Sequence, residues 1–217
     1  MLDPDRSSSP YAQLACGSCP ALDEFLVAMV AEFRRIDRDA VLFALDRLAL
    51  DAGLLEGLPP QEQLDALRTV LGDLEPIAAD HVDAVALDRV LAFRQGHPTA
   101  IAALWLLVGR RTGVPLGALS AEGRPLVADA RPGAGLVVDP AAGGRRVPLH
   151  ELPDEARWRC PHQIAYGMLT ALASGAMERG DLALAIRAAE LRLDLPCDAE
   201  SRRVLELEVS RLRARLH

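Results

Sequence analysis

The sequence predicts an α+β fold in which an N-terminal helical bundle and a C-terminal helical appendage flank a buried helix packed on a small antiparallel sheet. Three observations predict it. Apolar residues recur at spacings of three and four through the first third and the last quarter of the chain, as in amphipathic helices. The stretch from Thr99 to Arg111 is almost wholly apolar, which suits a helix buried on all sides. Between residues 116 and 138 the texture changes to short apolar pieces cut by Gly and Pro, the chain's strand candidates.

Residues 1–20 are rich in Ser and Pro and are expected to form an irregular arm. The bundle follows over residues 21–79. Pro20 leads into a stripe of Leu22, Phe25, Leu26, Met29, Val30 and Phe33. A second stripe of Val41, Leu42, Leu45, Leu48 and Ala49 ends at Gly53, and a third of Leu64, Leu67, Val70 and Leu71 follows the Pro59-Pro60 break. The central unit, residues 80–150, resumes the helical pattern through Val82, Leu87, Val90 and Leu91, breaks at Gly96-His97-Pro98, and restarts as the buried helix. Its strand candidates are Leu116 to Leu119, Pro125 to Ala128 and Gly135 to Val138. The appendage, residues 151–217, carries helices over 162–178, 181–193 and 200–216, the last with Leu205, Val209, Leu212 and Leu216 on one face.

Composition removes several function classes. The 31 acidic residues against 24 basic ones leave a net charge of -7, which repels phosphate backbones, so no nucleic-acid partner is expected. Every basic residue is Arg, since the chain contains no Lys, and this excludes lysine Schiff-base chemistry and a lysine phosphate loop. The bias towards Ala, Leu, Arg, Gly and Pro suggests a bacterial genome of high GC content. Met1 to Pro10 show no apolar run of signal-peptide length. The longest apolar run, about ten residues, falls short of the roughly 20 that span a bilayer, so no membrane partner and a cytoplasmic location are expected.

The most informative stretch lies between Leu87 and Gly144. It contains Arg94-Gln95-Gly96-His97-Pro98-Thr99-Ala100-Ile101, then Arg110-Arg111-Thr112-Gly113-Val114-Pro115, then Glu122-Gly123-Arg124-Pro125-Leu126-Val127, and finally Val138-Asp139-Pro140-Ala141-Ala142-Gly143-Gly144. These blocks, in this order and spacing, resemble the SirB-type branch of the transglutaminase-like proteins, and the resemblance covers most of the chain after residue 20. It implies a transglutaminase-like core. The segment Gly180-Asp181-Leu182-Ala183-Leu184-Ala185-Ile186, with Leu193 and Leu195-Pro196, resembles the closing half of a tetratricopeptide unit, which implies tetratricopeptide-like helices at the C-terminus.

In the wider superfamily a Cys at the start of the buried helix is the nucleophile, a His on the next strand the base, and an Asp on the following strand orients the His. Carried over, those positions fall on Ala100, Arg124 and Asp139. Alanine has no lone pair and arginine is no base near neutral pH, so the resemblance implies a degenerate triad. The family's Asn-Ser pair is also replaced, by Ala84 and Val85. Asp139 is read either as a site residue or as a turn former before Pro140. An Arg124–Asp139 ion pair would unite both readings, holding the old cleft shut or presenting an anion-binding arginine. His97 either caps the helix start or contributes to a site, and Thr99 supplies a hydroxyl beside the lost nucleophile. The expected binding residues are therefore His97, Thr99, Arg124 and Asp139. Trp105 is read as core, and Trp158, between Arg157 and Arg159, either as a surface anchor or as packing between tail and core.

Four residues have the chemistry of zinc ligands: Cys16 and Cys19 at knuckle spacing, with Cys160 and His162 far along the chain. The last two are too tightly spaced for a usual knuckle, so unlinked thiols are the expectation, and no metal or other cofactor is implied. The function expected is a catalytically degenerate transglutaminase-like protein that binds a peptide, a protein or a small anionic ligand in the inherited cleft. The alternative is an enzyme of a specialised bacterial pathway with relocated amide hydrolysis or condensation chemistry, using Asp139, His97 or a bound metal.

Overall fold

Caps and breakers in the sequence set the helix boundaries in the computed structural model, which describes residues 9–215. The helices are α1 (Pro10–Ala15), α2 (Leu22–Ala31), α3 (Arg38–Ala52), α4 (Pro60–Leu71), α5 (Leu87–Phe93), α6 (Pro98–Arg111), α7 (Pro161–Arg179), α8 (Leu182–Arg192) and α9 (Ala199–Ala214). Ser9, Asp37, Asp181 and Asp198 each accept a first-turn amide through the side chain, at α1, α3, α8 and α9. Proline opens α1, α4, α6 and α7, where its missing N–H costs nothing. The predicted irregular arm is corrected in its described part: α1 is a helix, with Tyr11, Ala12 and Ala15 buried. Residues 1–8 of that arm, and Leu216 of the last apolar stripe, lie outside the described residues.

The fold is α+β, with a five-stranded antiparallel sheet in the order β6-β5-β4-β3-β7. Its strands are β3 (Leu116–Ala121), β4 (Arg124–Asp129), β5 (Val137–Asp139), β6 (Arg145–Arg146) and β7 (Arg157–Arg159). Three of the five correspond to the predicted strand candidates; β6 and β7 are short, exposed edge strands with no apolar run to announce them. The turn between β3 and β4 is Glu122-Gly123, both in the left-handed region at φ 50 and φ 79, as a two-residue hairpin turn demands. Trp158 of β7 lies over Gly117, where a Cβ would come within 2.5 Å of its ring. The ring is both a cover for the sheet edge and an exposed surface.

A separate parallel pairing joins β1 (Glu75–Pro76) to β2 (Gln95–Gly96) and fixes the approach to α6. The Ile77 amide donates to the Gly96 carbonyl at 2.9 Å, and the His97 amide to the Ala84 carbonyl at 2.7 Å. Gly96 is required there, because a Cβ would fall 2.6 Å from Val90.

One hydrophobic core runs from Tyr11 to Leu195 and takes residues from the helical bundle, α6, one face of the sheet, α7 and α8. Ala118, Val127 and Val138 are the sheet's contribution to it. The opposite face buries a smaller cluster containing Leu119, Leu126, Val137 and Val147. Trp105 of α6 is fully buried, as expected, and Gly144 passes so close to its ring that a Cβ would sit at 2.5 Å.

Candidate functional site

The start of α6 is built by His97, whose backbone is extended at the N-cap position and whose Nδ1 accepts the Thr99 amide proton at 3.3 Å. The amides of Ala100 and Ile101 donate to the His97 carbonyl at 2.8 and 3.0 Å. The first turn thus offers no free backbone donor to a ligand. Burial pushes the His97 imidazole below its ordinary pKa of 6.5, keeping it in the neutral form that the cap uses. Ala100 is fully buried in the core, whereas Thr99 is half-buried.

Thr99 opens onto a cleft of about 240 Å³ between α6, the β3–β4 hairpin and the start of α7. Its apolar wall includes Ala102, Ala103 and Leu106 from α6, and its rim carries Arg159, Gln163 and Tyr166. Ser120 and Gly167 also line it. Sequence reasoning found Thr99 alone among the polar residues here, because the others arrive from three separate elements. Two signals pointed to them: the exposed Arg157-Trp158-Arg159 run, which is the edge strand β7, and a glycine in the middle of α7.

Arg124 and Asp139 do meet, with Arg124 Nη1 at 3.7 Å from Asp139 Oδ2. The carboxylate is buried and the guanidinium is 44% exposed. Strand alternation places Arg124 with Leu126 and Asp139 with Val137, on the sheet face turned away from the one that packs on α6. Neither residue lines the cleft, although Gly123 and Pro125, on either side of Arg124, do. Asp139 Oδ1 accepts from the amides of Ala141 and Ala142 at 3.1 and 3.2 Å and so caps the 3₁₀ turn Pro140–Ala142. The expected four binding residues thus divide into two pairs: His97 with Thr99 at the helix start, and Arg124 with Asp139 on the other sheet face.

The zinc candidates separate as well. Cys16, Cys19 and Cys160 carry exposed thiols, and His162 is buried edge-on to Phe25 at 5.4 Å between ring centroids. Among the described residues no group of three or more His, Cys, Asp or Glu is gathered to hold a metal ion. No described helix is long and apolar enough to cross a membrane.

The family model of the transglutaminase-like superfamily matches residues 25–163, well over half of the chain. The match begins in α2 and ends in the first turn of α7, so it takes in α6 and the whole sheet, while Ile164, Tyr166 and Gly167 of the cleft lie beyond it. Among curated proteins and among solved structures, nothing matches.

Proposed function

The chain belongs to the transglutaminase-like superfamily, and from that membership we propose that it is a SirB-type member that has given up catalysis and binds a ligand in the cleft beside α6. Ala100 carries the reading. The position where the superfamily keeps its thiol holds a methyl group with no exposed surface, and the base position holds a guanidinium. Thr99, next in sequence, carries a hydroxyl, but the neighbouring His97 Nδ1 already accepts a backbone proton, which leaves it no lone pair for general-base work there. Asp139 spends one oxygen on two backbone amides. Thr99 lines the binding cleft, His97 caps the turn of α6 that carries it, and Arg124 and Asp139 pair on the opposite face of the sheet.

The test is a panel of amide-hydrolysis and amine-transfer assays on the full chain. Rates at background are expected for the wild type and for Asp139→Ala alike. Turnover that disappears in Thr99→Ala, His97→Gln or Asp139→Ala would overturn the reading in favour of relocated chemistry.

A further inference from the structure

We propose that the cleft beside α6 is a site for a small carboxylate with an apolar tail of about six to ten carbons. The inference rests on reading the cleft as a binding site and names its ligand. The wall is mostly apolar: Ala102, Ala103 and Leu106 of α6, Ala118 of β3, Pro125 of β4 and Ile164 of α7. The side-chain groups that interrupt it are hydrogen-bond donors without partners. Among the described residues, the hydroxyls of Thr99, Ser120 and Tyr166 and the guanidinium of Arg159 make no hydrogen bond or ion pair, and Gln163 uses only its oxygen, on the Cys160 amide at 3.1 Å. No acidic side chain lines the cleft, in a chain whose net charge is -7. A wall of hydrocarbon with spare donors and one free cation at the rim is complementary to an apolar body with an acceptor-rich anionic head.

Gly167 points the same way independently. A glycine inside a helix is a local cost, and α7 has two that lack a positive φ, Gly167 and Gly175. At Gly175 packing requires it, since a Cβ would lie 2.4 Å from the Ala79 carbonyl oxygen. At Gly167 nothing in the protein requires it: the nearest atom to a Cβ would be Thr99 Cγ2 at 4.0 Å, across the cleft. The missing side chain keeps the cleft open. At about 30 Å³ for each water-sized unit, 240 Å³ holds roughly eight non-hydrogen atoms, room for the carbon chain of a medium-chain carboxylate whose oxygens lie at the rim by Arg159.

The experiment titrates the full chain with sodium octanoate by calorimetry, alongside butanoate, hexanoate, decanoate and 1-octanol. Expected is a submillimolar Kd for octanoate, on the order appropriate to about ten heavy atoms. Affinity should rise about fourfold per added methylene until the cleft is full. Arg159→Gln, an exposed substitution, should erase the preference for octanoate over octanol. Gly167→Met should abolish binding with thermal unfolding intact, while Gly167→Ala retains it. Absence of octanoate binding at millimolar concentration, wild-type binding by Gly167→Met, or an unchanged preference in Arg159→Gln each overturns the proposal. Turnover in the amide assays would overturn the loss of catalysis and leave this titration standing; silent assays without octanoate binding would overturn the ligand class alone.

Discussion

The imidazole of His97 caps α6 only while Nδ1 is unprotonated, because a protonated nitrogen cannot accept the Thr99 amide proton. Burial holds its pKa in the folded protein below the ordinary 6.5. The unfolded chain therefore binds more protons as pH falls past 6.5, so the stability contributed by neutral His97 is full above that value and is lost as pH falls through the folded pKa. His97→Gln keeps an acceptor and removes the titration. Denaturant unfolding at about pH 7.5 and about pH 5 should show wild type losing more stability than the variant, with a cap of this kind worth about 1 kcal/mol. Carboxylate titrations are common to both proteins and cancel in the difference; parallel losses would remove His97 from the account. The family resemblance was enough to bring Arg124 and Asp139 together, but it could not fix which sheet face they share, since a one-residue difference in strand register turns every side chain over. Nor could it foretell that the guanidinium stays half in water, where an ion pair is worth about 0–1 kcal/mol and the two backbone amides on Asp139 matter more.

Helices were legible wherever a capping side chain or a proline stood ahead of an apolar stripe, as in α3, α4 and α6; the misses have separate causes. The helix α1 has only six residues, too few for a periodic pattern, and it is held by tertiary burial of Tyr11 and Ala15. The edge strand β7 has no buried residue, so alternation of apolar and polar positions had nothing to register. The cleft was hidden for a third reason, that its walls come from elements distant in sequence. Within α7 the two glycines give a direct check on how this helix is seated. Gly175→Ala drives a methyl into the backbone at Ala79 and should cost about 1–3 kcal/mol. Gly167→Ala meets nothing nearer than 4.0 Å and should stabilise by about 0.5–1 kcal/mol through its better helix propensity. Denaturant midpoints of the two variants should move in opposite directions; equal losses would mean that α7 does not cross the Ala79 segment as closely as described.

At the scale of the molecule, α1 and the tail helices α7 and α8 are packed into one core with the bundle. Tyr11 is fully buried, stacks on Phe25 at 5.4 Å with the rings 5° apart, and donates its hydroxyl to the Leu191 carbonyl at 3.0 Å. Phe25 in turn meets His162 of α7, so three rings join α1, α2 and α7, and the hydroxyl adds α8. Burial pushes the Tyr11 phenol far above its usual 10.0, and it remains a donor at every working pH. One turn earlier in α8, Arg187 pairs with Glu32 just past α2, a second tie between tail and bundle. Such a core implies that the helical tail and the family core unfold together. Tyr11→Phe is the sharpest probe, because it keeps the ring and removes one hydrogen bond. The Leu191 carbonyl retains the Asp194 amide at 3.3 Å, so the expected loss is moderate, about 1 kcal/mol. It should appear as a lower denaturant midpoint at an unchanged slope, in one transition seen equally by tryptophan fluorescence and far-UV circular dichroism. A loosely attached α1 would give a midpoint identical to wild type, since a hydroxyl that is solvated in both states contributes nothing to the difference between them.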